Sequence, residues 1–236
     1  MGTQAERAGI LLMARLDSRR LPGKVLLDIA GRPLLALAAA RLARSGLGRH
    51  IVLATSDRAV DDPIAIWASA FGLDVHRGPA QDVAQRCLDA ARLAGWDWFL
   101  RISGDSPFIA PEAVDVVADL FRRENPDLAS NVFPRIHPPG LSAEAVSVDA
   151  LARLLALSDD PQDREHVTKA FYDAPQRWRI ASAPPSGESW PAGLHLAVDT
   201  QADLHFARAL AQRLADPVTA SIQDIRREAS GLLQRG

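Results

Sequence analysis

A chain of 236 residues with 47% hydrophobic content holds enough apolar surface for one large α/β domain. Its formal net charge of −2 speaks against a global basic field for nucleic acid, so an anionic ligand must be held by local clusters of cations. The single cysteine, Cys87, excludes an internal disulfide framework and a cysteine zinc site, and reads as core filler in a helix. No run approaches ~18 uninterrupted apolar residues and the polar N-terminus lacks a secretory apolar segment, so a cytoplasmic protein without a membrane partner is expected.

Short apolar runs alternate with helical patterns from the start. A strand near 9–14 leads to a helix over 33–44 opened by Pro33, a strand over 50–55, and a helix over 62–71 between Asp61-Asp62-Pro63 and Gly72. A short strand at 73–76, a helix over 81–94 ended by Gly95, a strand over 96–103 and a helix over 111–123 opened by Pro111 continue the rhythm. Such alternation predicts a doubly wound, mostly parallel sheet, a Rossmann-like α/β fold.

The second half is less regular. Strands over 128–133 and 143–148 flank the Pro-Pro-Gly turn at 138–140, helices follow at 149–157 and 162–173, and a strand at 177–183 precedes a turn-rich stretch over 184–193. These strands are expected to form a small antiparallel lobe over the main sheet. One more buried strand over 194–198, a helix over 201–214 and a helix over 221–233 complete the chain, with no repeat or linker, so a single domain over 1–236 is expected.

The first strand runs into Ala14-Arg15-Leu16-Asp17-Ser18-Arg19-Arg20-Leu21-Pro22-Gly23-Lys24. Backbone N–H groups near Gly23, the forks of Arg15 and Arg20, and the Lys24 ammonium form a candidate polyphosphate grip. The loop is no Walker motif, because Ser18 stands where its first glycine would be and Val25 follows Lys24; a G-x-G-x-x-G is also missing. Spacing alone leaves open a solvated basic loop instead.

In an open parallel sheet, ligands lie beyond the carboxyl ends of the strands. There the chain places the basic loop, Thr55-Ser56-Asp57, Gly104-Asp105-Ser106-Pro107 and Asp199-Thr200. Asp105 and Asp199 are suited to hold a magnesium ion bound to a nucleoside triphosphate. Each has an ordinary alternative, an Asx turn or cap for Asp105 and an N-cap for Asp199.

Further motifs stand along the chain in order: Ala14-Arg15-x-x-Ser18-x-Arg20-Leu21-Pro22-Gly23-Lys24, Arg77-Gly78 with Asp82-Val83 and Arg86, and Arg101-x-x-Gly104-Asp105-x-Pro107. They continue through Ser130-Asn131, Gly140-Leu141-x-x-Glu144, Arg164-Glu165-His166-Val167-Thr168, and Val198-Asp199-Thr200 with Asp203-Leu204. This ordered set resembles the cytidylyltransferase superfamily, in particular its spore coat polysaccharide branch, with the CMP-KDO and acylneuraminate synthetases as relatives.

The resemblance implies a nucleotide-diphospho-sugar transferase fold that uses CTP and Mg2+, transfers CMP to an acidic acceptor and releases pyrophosphate. By it, Arg15, Arg20 and Lys24 hold the triphosphate and Asp105 and Asp199 hold magnesium; Ser18, Gly23, Ser56, Asp57, Arg77, Ser103 and Gly104 are the further candidates for the nucleotide site. Ser103 stands where the KDO enzymes have Gln, so that side chain's contacts do not carry over. Residues 9–125 would form the nucleotide half, 126–193 the acceptor and dimer lobe, and 194–236 the metal strand and C-terminal helices; a homodimer is implied. Asn131, Arg135, Glu144, Arg164 and His166 are the acceptor candidates, Arg164 foremost because a guanidinium holds an acidic group bidentately. His166 reads equally well as a surface histidine, and His76, His137, His195 and His205 read as structural. The rival readings are a nucleotidyltransferase of the same fold using another NTP and a sugar phosphate, and a non-catalytic nucleotide-binding module.

Overall fold

The computed structural model describes residues 7–184 and 189–234; the polar N-terminus and the middle of the 184–193 stretch lie outside the described residues. In chain order the elements are β1 (Ala8–Met13), β2 (Asp28–Ile29), β3 (Arg32–Pro33), α1 (Leu34–Leu42), β4 (Ile51–Ser56) and α2 (Asp62–Phe71). Next come β5 (Asp74–Gly78), α3 (Val83–Leu93), β6 (Trp98–Ser103), α4 (Pro111–Glu124), β7 (Leu128–Ser130), β8 (Glu144–Ser147) and α5 (Val148–Leu157). The chain closes with α6 (Pro161–Glu165), α7 (Lys169–Asp173), β9 (Ile180–Ser182), α8 (Gln201–Arg213) and α9 (Ile222–Leu233).

Seven strands form one twisted sheet in the order β5-β4-β1-β6-β8-β7-β9, and β8 alone runs against the rest. Because both faces are covered, β1 reads as an unbroken apolar run. Its Ile10 and Leu12 pack with α1, α2 and α4, while Leu11 packs on the other face with α3 and α5. A third cluster joins α8 and α9 to Leu34, Leu37, Phe108, Leu196 and Val198. Arg41, fully buried on α1, fastens this C-terminal layer by donating to the carbonyls of Ile109 at 2.7 Å, Pro217 at 2.6 Å, Val218 at 3.3 Å and Ala220 at 3.0 Å. No helix among the described residues is long and apolar enough to cross a membrane.

Four features depart from the sequence expectations. The later strands do not lie over the sheet: β8 pairs edge to edge with β6 and carries β7 and β9 with it, while the separate antiparallel pair is β2–β3. Strand β7 stops at Ser130 because the Asn131 side chain takes over the pairing, donating to Leu141 O at 2.8 Å and accepting from Ala143 N at 2.9 Å. The expected helix over 162–173 breaks at His166, where the chain turns to bury Val167 completely beneath α3 and α5.

Finally, 194–198 is no strand. It is irregular but buried, with Leu196 and Ala197 N–H both donating to Pro139 O at 2.8 and 3.1 Å and Val198 N–H to Asp105 O at 2.8 Å. Gly140 permits that close seat: its φ is +99°, and a Cβ there would fall 2.4 Å from the Leu196 carbonyl carbon.

Candidate active site

The loop after β1 folds back on itself, Gly23 N–H donating to Leu16 O at 2.8 Å, and delivers Lys24 at the start of a 3-10 turn. Lys24 is 8% exposed, and its ammonium donates to Asp105 Oδ2 at 2.7 Å and to Asp199 Oδ1 at 2.8 Å. Arg20 adds an ion pair to the same Asp199 oxygen at 2.9 Å. The basic loop is therefore a built ion cluster rather than a solvated run, although the Gly23 N–H closes the loop instead of facing a ligand.

Neither aspartate serves as a cap. Helix α4 has Ala110 at its N-cap with no side-chain bond, and α8 is capped by Thr200 in a reciprocal box with Asp203. Asp105 is aimed by Ser103 Oγ, which donates to its Oδ1 at 2.7 Å, and by Ser106 Oγ at 3.3 Å. Gly104 lets the loop after β6 touch the loop after β1: a Cβ would sit 2.8 Å from Met13 O, to which Gly104 N–H donates at 2.7 Å. Burial pushes the Asp199 carboxyl up, but the Lys24 hydrogen bond and charge, then Arg20 and His195, outweigh it and hold it below its ordinary value.

These groups stand at one end of a cleft of about 700 Å3. Of the expected site residues, Arg15, Ser18, Arg20, Lys24, Ser103, Asp105 and His166 line it, and Asp199 reaches it through Lys24 and Arg20. Seven cationic side chains, Arg15, Arg19, Arg20, Lys24, Arg58, Arg86 and Arg101, face three carboxylates, Asp17, Asp105 and Glu165, along its wall. A chain of net charge −2 thus holds a strongly positive cleft.

The other candidates are framework in this structure. Ser56 Oγ bonds to Asp61, and Asp57 N–H donates to Gly78 O at 2.9 Å. Arg77 donates to Ser56 O at 3.0 Å and Arg58 O at 2.9 Å and pairs with Asp62 at 2.7 Å, so it braces the corner that carries Arg58.

The acceptor set fares differently from its expectation. Both ends of the Asn131 amide are spent on backbone, and exposed Arg135 donates to Ser142 Oγ at 3.0 Å. Glu144 is buried and holds Arg101 and the Tyr172 hydroxyl, the latter at 2.5 Å. Arg164 is occupied by Asp82 at 3.1 Å and by the carbonyls of Leu155 and Ser158 at 3.0 and 3.3 Å, so it ties α6 to α3 and α5 instead of lining the cleft.

Arg58, Gln81, Arg86, Arg101 and Glu165 line the cleft without having been singled out, and only their membership in the motifs around Asp82 and Gly104 hinted at Arg86 and Arg101. His195 lies 3.8 Å from Asp199 Oδ2 and 3.7 Å from Asp203 Oδ1, closer to the cluster than its sequence context suggested.

Two carboxylates that converge on one nitrogen are a pair of hard oxygen donors. No cluster of three or more His, Cys, Asp or Glu side chains suited to a metal occurs among the described residues. That pair fits magnesium, which is habitually held by one or two carboxylates with substrate phosphates completing the shell.

Residues 9–216 match the family model described as Cytidylyltransferase. The spore coat polysaccharide biosynthesis protein SpsF of Bacillus subtilis is 28% identical over 91% of this chain and 90% of its own. A 3-deoxy-manno-octulosonate cytidylyltransferase of Pelodictyon phaeoclathratiforme is 31% identical over 76% of this chain and 79% of its own. The solved structure of a cytidylyltransferase from Leptospira borgpetersenii superposes with a TM-score of 0.90 at 26% identity, covering 97% of this chain and 96% of that one. With a family match across nearly the whole chain and the shared architecture, this protein belongs to the cytidylyltransferase family of nucleotidyltransferases.

Proposed function

We propose that the protein is a CTP- and magnesium-dependent cytoplasmic enzyme that transfers CMP to an anionic acceptor, a carboxylated sugar, phosphate or phosphonate, and releases pyrophosphate. The observation that carries this is the Lys24 ammonium seated between Asp105 and Asp199 at the end of a cation-lined cleft. Lys24, Arg20 and Arg15 neutralise and orient the triphosphate, so that an acceptor oxygen approaches the α-phosphorus in line with the departing pyrophosphate. The new bond joins acceptor oxygen to the α-phosphorus, the bond to the β-phosphate bridging oxygen breaks, and where the acceptor oxygen is a hydroxyl its proton is released to solvent. Asp105 and Asp199 would hold magnesium, which when bound offsets phosphate charge as it shifts onto the leaving group. Ser103 and Ser106 keep Asp105 turned toward that position.

Pyrophosphate release across the four NTPs with a panel of anionic acceptors, beginning with a carboxylated sugar such as the relatives' octulosonate, tests the reading. CTP should be preferred, and Asp105→Asn or Asp199→Asn should lower turnover by about a hundredfold or more. Preference for another NTP with a sugar phosphate, or near-normal rates in both variants at saturating magnesium, would overturn it.

A further inference from the structure

The cleft has a second cationic pole besides the Lys24 cluster, formed by Arg86 and Arg101. Arg101 projects from β6 on the face of Phe99, where β1 Leu11 lies beside it and α3 packs. Arg86 rises from α3 to line the same space, with His166 at the end of α6 close by.

Arg86 is only 2% exposed, yet its one hydrogen bond among the described residues is to Pro79 O at 2.8 Å; its Nε has no partner and no carboxylate pairs with it. Arg101 gives Nη1 to Glu144 and leaves Nε unpartnered. Burying the Arg86 guanidinium with no carboxylate paired to it is costly, and the Arg101 Nε adds a second buried, unpartnered donor in the same cleft, so this part of the wall marks a place completed by a ligand anion.

The reaction brings together two anions. The triphosphate belongs with Lys24, Arg20 and the carboxylate pair; Asn131 and Arg164 are spent on framework, and among the other cations of the cleft Arg86 and Arg101 offer buried Nε donors without a partner. We propose that Arg86 and Arg101 form a second anion subsite, which takes the acceptor's carboxylate, phosphate or phosphonate while CTP occupies the Lys24 end. This rests on the reading of the protein as an enzyme with an anionic acceptor. Glu144 and Tyr172 are positioning residues for it: Glu144 fixes the Arg101 fork, and the Tyr172 hydroxyl fixes Glu144 while lying 2.8 Å from Ser130 Oγ.

Titration calorimetry with inorganic phosphate and, separately, acetate tests the subsite, each run with and without saturating CTP in magnesium-free buffer. The variants are Arg86→Met and the pair Arg101→Met with Glu144→Gln, which avoids stranding a buried carboxylate. The wild type should show one saturable site for at least one anion that persists with CTP bound. Either variant should weaken it by about tenfold or more while CTP affinity stays near that of the wild type. Phosphate binding alone assigns a phosphoryl acceptor group, and acetate binding a carboxylate. Displacement of the anion by CTP, unchanged anion affinity in both variants, or no saturable binding by the wild type at tens of millimolar would each overturn the subsite. Should Arg86→Met lose its fold, Arg86→Lys and the Arg101 pair carry the comparison. A wild type that does not bind CTP overturns the nucleotide assignment instead, and the runs without nucleotide still decide the subsite.

Discussion

Lys24→Met keeps the length of the side chain and removes the charge that Asp105 and Asp199 share. The two accepting oxygens lie 2.7 and 2.8 Å from the same nitrogen, so they stand no farther apart than two hydrogen bonds laid end to end. Their side chains are 21% and 22% exposed, and the Lys24 side chain is 9% exposed. Arg20 remains on Asp199, but its side chain is 65% exposed and its pairing is screened. Stripping one partner from a buried pair costs about 3–5 kcal/mol; with water reaching both carboxylates, about 2–3 kcal/mol is expected here. For a chain of this size that lowers the melting temperature by roughly 4–12 °C. Millimolar Mg2+ should then recover more of the loss in the variant than it adds to the wild type, where it must displace the ammonium from the carboxylates. Thermal melts of both proteins with and without Mg2+ read this out. A variant melting within about 2 °C of the wild type, or an equal Mg2+ increment in both, would refute the reasoning.

Arg41→Met should cost about 3 kcal/mol or more by urea unfolding, because it orphans the Ile109, Pro217, Val218 and Ala220 carbonyls; a loss under about 1 kcal/mol would show that water replaces the guanidinium. Burial pushes the Cys87 thiol up to about 11, so a disulfide reagent at pH 8 should label it only after unfolding, and prompt labelling of the native protein would contradict its place in the core. Asp216, through the backbone N–H of Val218, and Asp224, through the Ser221 hydroxyl, sit below their ordinary values, so their stabilisation is complete above about pH 4 and lost as pH falls through the lower folded values. Melting temperature should therefore fall more steeply below about pH 4 in the wild type than in an Asp216→Ala, Asp224→Ala double variant, and parallel profiles would count against the link.

The first half of the fold was legible because it is local. Apolar runs at β1, β4 and β6 and the punctuation at Pro63, Gly72, Gly95 and Pro111 set those elements within a few residues. In the second half β7, β8, α5, β9, α8 and α9 fall where expected, but how the strands pair and what 194–198 meets depend on partners far away in sequence. An apolar run at 194–198 looks like a strand whether its N–H groups meet a sheet or, as here, the single carbonyl of Pro139 and that of Asp105.

The same distinction runs through the site. Lys24, Asp105 and Asp199 were legible as residues of complementary charge just past apolar runs, although the run before Asp199 is not a strand. Arg164 misled because a guanidinium suited to an acidic ligand suits Asp82 equally well, and nothing local says which it meets. Arg86 and Arg101 gave the converse signal: in sequence they sit among apolar helix and strand residues, and only the burial of Arg86 with no carboxylate paired to it makes that pole notable.

The irregular segment before Asp199 accounts for how two carboxylates from distant parts of the chain are held at one distance. Val198 N–H donates to the carbonyl of Asp105 itself, so the aspartates are fastened through the backbone before their side chains meet Lys24. The Thr200–Asp203 box then consumes the N–H groups of Asp199 and Thr200, leaving the Asp199 carboxylate nothing to cap. A regular strand at 194–198 would spend its N–H groups on a sheet neighbour and align Asp199 with that neighbour's end. The irregular path instead ties Asp199 to Asp105, the carboxylate with which it shares the Lys24 ammonium. Preorganisation of this kind would spare the proposed magnesium site the cost of bringing two like charges together, and in the structure Lys24 holds the arrangement.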